Sequence, residues 1–495
     1  MKWANFLHIY QPANQVEEIL NRVVSESYKP LVQTLKDNPR TKITLNINAV
    51  LSEQLLEFGH KNLIDDIIFV AQRGQIEFTG SAKYHALLPF LEKDEIIRQI
   101  KLNQETNQKI FGSVYNPKGF FPPEMAYDPS LAPTLKELGF EWIIIDEIAL
   151  NGRVNQVDTN SIYTITDVGL SVFFRERNPS NLIMSALVKK EEDFKKILGQ
   201  DYQGKGYMVT GMDGETFGHH RPGLHKLLAE LLISDEFEHV FFSELIRQIP
   251  ERKSVSPVIS TWASTEKDIE KGEQFTTWKE SGNKIHDMQW ELQHLVIHAF
   301  KNCQVSIPEE VNSARHKLDE ALASDHFYWA SAKPWWSLEL IEAGAWALLD
   351  TLRSIPDCDP LGLQKAERIY HAIIAMAFEW QRTGYIRKIY NEYRDYPRIP
   401  FKDKTTDKGE PWVYEAFVQL MREAMKKATE KENFEESILW RDAIWKLDTK
   451  NDIYDAMHAV DLLRKQVTND EVLKMIERYR REYERLTPGQ PEPRG

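Results

Sequence analysis

Residues 4–47 read ANFLHIYQPANQVEEILNRVVSESYKPLVQTLKDNPRTKITLNI. ANFLHI and KITLNI are short runs rich in β-branched and aromatic residues. Between them, EEILNRVVSESYKPLVQTLKD carries apolar residues at three- and four-residue spacing. Strand, amphipathic helix, strand is the unit that lays two parallel strands side by side under a crossover helix. The same alternation continues to about residue 245. Further strands are predicted at IEFT from Ile76, GFF from Gly119, WIIID from Trp142, SVFF from Ser171, YMVT from Tyr207 and HVFF from His239. Helices are predicted at NLIDDIIFVAQRG, DEIIRQIKLNQETNQKIF, PSLAPTLKELG and PGLHKLLAELLIS. Eight strand candidates point to an α/β barrel of seven or eight staves.

Beyond residue 284 the strand signal fades. IHDMQWELQHLVIHAF, VNSARHKLDEALAS, SLELIEAGAWALLDTLRSI, KAERIYHAIIAMAFEWQRTGYIRKIYNEY, YEAFVQLMREAMKKATEK and NDIYDAMHAVDLLRKQ have helical period. The expected organisation is a barrel with a polar bridging segment over 1–283, an α-helical bundle over 284–485 that contributes to the substrate cleft, and a flexible Pro/Gly-rich tail over 486–495. The chain has 495 residues, 42% hydrophobic and 28% charged, enough for a large core and unlike a disordered polymer. Its 75 acidic and 62 basic side chains leave a net charge of −13, which repels nucleic acid on average. Cys303 and Cys358, the two cysteines, have no metal-ligand spacing around them, which fits a reducing cytoplasm. No run reaches the length of a signal-peptide core or a membrane span.

In a parallel barrel the working side chains stand at the carboxyl ends of strands. His8 and Gln11 follow the first strand, Glu77 lies in the third, Glu124 follows the fourth in FFPPEMAYDP, and Asp213 ends the seventh in VTGMDGETFGHH. Two carboxylates on opposite halves of the barrel sequence suit acetal chemistry. One protonates the departing oxygen while the other supports an oxocarbenium-like centre. Judged singly, an acidic loop residue is more often a solvated or capping group, so position and context carry the reading.

The strings HIYQP, GQIEFTGS with AKYHALLPFL, GFFPPEMAYDP, GMDGETFGHH and ALASDHFYW resemble, in order, the five sequence regions of glycoside hydrolase family 57. The resemblance implies an irregular seven-stranded (β/α) barrel followed by a helical region, and retaining chemistry on α-glucans. It makes Glu124 the nucleophile and Asp213 the general acid/base, with their carboxyl groups ~5 to 5.5 Å apart. His8, Gln11, Glu77, Glu215, His220, Asp325, Tyr328 and Trp329 become substrate contacts. The implied partner is a starch, glycogen or maltooligosaccharide chain, with no cofactor and no metal. Many members read His-x-His-Gln-Pro where this chain has HIYQP, so Tyr10 replaces a histidine and puts the preferred linkage or chain length in question. α-Amylase-like hydrolysis and 4-α-glucanotransfer share the chemistry up to the covalent intermediate. The absence of a strand-rich C-terminal pattern favours hydrolysis or a compact dual-activity enzyme.

Rival readings are a silent glucan-binding protein and a metal-dependent deacetylase. His294 and His298 stand four apart on one helix face, but no HExxH glutamate or N-terminal aspartate motif accompanies them. Seven tryptophans (Trp262, Trp278, Trp290, Trp329, Trp335, Trp336 and Trp346) cluster within 85 residues, and core packing accounts for most such indoles.

Overall fold

The computed structural model describes residues 1–184, 188, 190–198, 206–221, 223–303, 308–333, 335–393, 402, 411–449, 459–460, 462–463 and 466–486. Ten strands form one sheet: β1 (Lys2–Ile9), β2 (Ile43–Ile47), β3 (Ile76–Gly80), β4 (Gly119–Phe120), β5 (Trp142–Asp146), β6 (Ile162–Ile165), β7 (Ser171–Arg175), β8 (Tyr207–Asp213), β9 (Glu238–His239) and β10 (Arg252–Val255). Seven of the eight expected strands are present; of HVFF from His239, His239 alone lies in a strand (β9), and Phe242 begins a helix. The sequence reading missed β6 and β10: β6 pairs antiparallel with β7, and β10, largely exposed, carries too little apolar signal to read.

The order β8-β1-β2-β3-β4-β5-β7 is a run of seven parallel strands that curls into the barrel-like form expected. Between β7 and β8 there is no regular ladder. The gap is spanned instead by Glu176, whose N–H donates to Val209 O at 3.0 Å and whose carboxylate accepts from Val209 N–H at 2.9 Å. Beside it, Arg175 Nε donates to Gly211 O at 2.7 Å. Most strand residues are buried on both faces, as sheets covered by helices and closed on themselves require. Phe6, Phe121, Trp142, Ile144, Phe173, Val209 and Phe242 form one cluster within this fold.

By contacts the chain falls into two compact units. The first runs through Tyr390 apart from two short segments, so the sheet shares its unit with the helices Lys284–Lys301, Pro308–Ala321, Leu338–Ser354 and Pro360–Thr383. One continuous apolar cluster joins Phe120, Leu135 and Val172 of the barrel to Leu292, Leu318, Leu348 and Ile373 of these helices. Arg315 reinforces the junction by reaching buried Glu95 at 2.8 Å and Asp319 at 3.0 Å. The second unit contains the helices Pro411–Glu430, Phe434–Thr449 and Asn469–Leu486, held by Val418, Met421, Trp440 and Leu447. Most of the helix expected over 451–466, and the tail from 487 onward, lie outside the described residues. Among the described residues no helix is long and apolar enough to cross a membrane.

Candidate active site

Glu124 sits in the turn after β4, where two prolines precede it. Its backbone is left-handed, φ 61° and ψ 16°, and Met125 follows at φ 48°. Non-glycine residues seldom adopt this conformation, and the surroundings hold it here. Residues 260–262 run antiparallel to the turn: Tyr127 N–H donates to Ser260 O at 2.9 Å and Trp262 N–H to Glu124 O at 3.2 Å. Trp262 Nε1 then donates to Glu124 Oε2 at 2.7 Å. A single residue thus fixes both the backbone and the carboxylate of Glu124.

Asp213 ends β8, in register with His8 of β1. The next residue, Gly214, lies so close to β1 that a Cβ there would stand 2.5 Å from Ile9 Cγ2. Glu215 follows in a short turn. Its Oε1 accepts from Tyr10 N–H at 3.0 Å, from Gln11 Nε2 at 3.5 Å and from the buried Tyr28 hydroxyl. Tyr28 reaches it because the helix read over 17–37 contains a π turn, Val24–Tyr28; this turn also sets Ser27 Oγ 2.6 Å from Gly214 O. Glu215 is therefore a brace on the β1 and β8 loops.

Burial first, then the neighbouring Asp213 charge, pushes Glu124 up to about 8; the Trp262 donor opposes this and Asp325 adds to it. Burial lifts Asp213 to about 6, against the pull of Arg175. Burial and Asp213 lift Glu215 to about 7, and Tyr28 restrains it. The order, Glu124 above Asp213, is the reverse of that needed for an ionised nucleophile and a protonated acid. Because the two groups interact, the titration belongs to the pair, and around neutrality the pair carries one proton. One proton over two carboxylates is the stoichiometry that acetal cleavage requires.

A stack of rings faces Glu124. His85 lies 4.3 Å and 15° from Tyr10 and 5.1 Å and 16° from His8, and His8 and Tyr10 are themselves 6.2 Å apart, so the three near-parallel rings cluster. Its Nδ1 is 3.2 Å from Ser324 Oγ and 3.9 Å from Glu124 Oε1. His8 Nδ1 lies 2.7 Å from Asn46 Oδ1, and Asn46 Nδ2 donates to Thr79 Oγ1 at 3.1 Å, so one layer of the barrel supports the stack. Burial lowers His8 to about 4 and His85 further, so both rings are neutral at physiological pH. The Tyr10 hydroxyl donates to Asp325 Oδ2 at 2.7 Å. The replacement at position 10 therefore supplies a donor that does not titrate near neutrality.

The structure thus brings together Glu124, Asp213, Glu215, His8, Gln11 and Asp325. Trp329 lines a cleft beside Asp325, and Tyr328 packs on Trp335 at 5.2 Å. Glu77 lies elsewhere. It is the second residue of β3, roughly 10 Å back along the strand from Gly80, where its Oε2 is 3.4 Å from Thr44 Oγ1 and from Ser243 N. The strand, expected over 76–79 and observed over Ile76–Gly80, continues three residues past Glu77 and so sets its side chain below the mouth. His220 is exposed and touches the site through its backbone, donating to Glu215 O at 2.9 Å. His298 bonds Asn302, the residue that caps its own helix, and His294 lies against Trp290. His85, Trp262 and Tyr28 were missed as site residues. His85 was visible inside AKYHALLPFL, whereas nothing local marks Trp262 or Tyr28, which reach the site from other elements.

Residues 3–258 match the family model described as glycosyl hydrolase family 57. The chain is 27% identical over 227 residues to an α-amylase of Pyrococcus horikoshii, covering 45% of this chain and 35% of that protein. It is 25% identical over 224 residues to a 4-α-glucanotransferase of Thermococcus litoralis, covering 44% and 33%. The chain spans about a third of the length of these curated relatives. A family 57 branching enzyme of Pyrococcus horikoshii superposes with a TM-score of 0.58 at 18% identity, over 76% of this chain and 96% of that one. The Thermococcus litoralis glucanotransferase superposes with a TM-score of 0.56 at 20% identity, over 71% and 60%.

Proposed function

Because this chain belongs to glycosyl hydrolase family 57, we propose that it is a retaining enzyme acting on α-glucans, with Glu124 as nucleophile and Asp213 as general acid/base. Asp213 gives its proton to the glycosidic oxygen as Glu124 attacks the anomeric carbon; the C–O bond to the leaving chain breaks and a glycosyl ester forms on Glu124. Asp213, now a carboxylate, takes a proton from the incoming hydroxyl, which attacks the same carbon and releases Glu124. Trp262 Nε1 favours the ionised form of Glu124 without overcoming its burial, and a glycosidic oxygen seated at Asp213 draws the shared proton to that side. The observation that carries this reading is the placement of two half-buried carboxylates, Glu124 in the turn after β4 with its Oε2 held by Trp262 Nε1 and Asp213 at the end of β8.

With water as the incoming hydroxyl the reaction is α-amylase-like hydrolysis; with a sugar hydroxyl it is 4-α-glucanotransfer. Relatives of both names match at comparable identity, so transfer stands as the second reading. Incubation with maltoheptaose and sizing of the products separates them. Hydrolysis yields shorter oligosaccharides alone, and transfer yields longer ones as well. Glu124→Gln should lower either activity by roughly a thousandfold or more. A variant as active as wild type would remove Glu124 from the chemistry.

A further inference from the structure

A cleft of about 420 Å³ opens beside Asp325. One wall is Pro12–Asn14, the continuation of the loop whose Tyr10 and Gln11 hold Asp325 and Glu215. The floor is the face of the helix Leu338–Ser354 that carries Ala343, Gly344 and Ala347. Gly344 is required there because a Cβ would stand 2.2 Å from His326 Cβ, so the helix packs directly on the segment bearing Asp325.

Three features of the lining suit a sugar. Trp346 leaves 43% of its surface exposed at the cleft, with Arg353 5.3 Å from its ring and Tyr370 edge-on at 5.8 Å. Lys317 and Asp350, paired at 2.6 Å, offer an ammonium and a carboxylate on the rim. His326, only 5% exposed, also lines the cleft, and among the described residues its Nε2 has no hydrogen-bond partner. Burial lowers that ring to about 3, so it is a neutral imidazole suited to a hydroxyl rather than to an anion.

We infer that this cleft is a distal glucosyl subsite, in which a ring of the bound α-glucan lies on the indole of Trp346 and hydrogen-bonds Lys317, Asp350 and His326. The inference rests on the proposed α-glucan activity. The occupant follows from adjacency: Asp325, held by Tyr10 in the catalytic constellation, also lines the cleft, so a chain that extends past Asp325 meets it. An indole face with polar groups around its edge matches the apolar faces and equatorial hydroxyls of a pyranose.

The test is kcat/KM for maltooligosaccharides from three to seven units, measured for wild type, Trp346→Ala and Ala343→Phe. Trp346→Ala removes the platform, and Ala343→Phe fills the cleft from a half-exposed helix position, guarding against misfolding of the first variant. Wild type should gain with chain length, and both variants should lose roughly tenfold of that gain at the longest substrate. A length dependence unchanged in both variants would overturn the subsite while leaving the catalytic reading intact. A wild type inactive on every α-glucan would overturn both.

Discussion

Trp262 is the residue on which the carboxylate pair depends. Its indole N–H is the side-chain hydrogen bond that favours ionised Glu124 against burial and two neighbouring acids. Trp262→Phe keeps the ring and deletes the donor. The proton should then settle more firmly on Glu124, lowering kcat/KM about 10- to 100-fold and moving the basic limb of its pH profile upward. Loss of packing alone would leave that limb in place. In wild type the active form carries one proton on the pair, so kcat/KM should fall below about 6, where both groups protonate, and above about 8, where both ionise. A profile flat from pH 5 to 9 would contradict the shared-proton mechanism. Tyr10 and the neutral histidines should add no further limb in this window.

At the scale of elements, the site is set by short irregular pieces joined to regular ones. β4 is only two residues long, yet it delivers Glu124, and Gly119 makes it possible: a Cβ there would stand 2.1 Å from the Trp142 indole. Gly119→Ala should destabilise the protein by about 1 to 3 kcal/mol through overpacking, seen as a lower urea midpoint. Any loss of activity should follow the shift of the adjoining turn. The π turn at Val24–Tyr28 acts in the same way on the other side of the barrel. Hydrophobic period predicted one helix over 17–37, which is where the helical residues lie. The extra residue in the turn, which aims Tyr28 at Glu215, leaves no mark on that period. Glu77 shows the converse: IEFT places the strand to within one residue, but not the depth at which its second side chain sits.

The molecule as a whole bears the cost of three carboxylates withdrawn from water, Glu215 buried and Glu124 and Asp213 half-buried. Glu124 has an ordinary value of 4.5 and stands at about 8 in the fold, so the folded state holds more protons than the unfolded one between those values. Stability from this group is complete below pH 4.5 and lost as pH rises toward 8. Glu124→Gln removes that loss. It should unfold at higher denaturant or temperature than wild type at pH 8, by about 2 to 4 kcal/mol, with the difference shrinking below about 1 kcal/mol at pH 5. The buried histidines act oppositely: His8 and His286, at about 4 against an ordinary 6.5, withdraw stability as pH falls from 6.5 toward 4. By itself the sequence determined a parallel barrel of seven or eight staves, the helices that follow it, and the loops carrying Glu124 and Asp213, because periodicity and turn chemistry are local properties. Only the tertiary structure decided that Trp262 and Tyr28 reach those loops, that Glu77 falls below the mouth, and that burial raises both Glu124 and Asp213. These depend on burial and on contacts between residues up to about 200 positions apart, and no window of sequence encodes a dielectric.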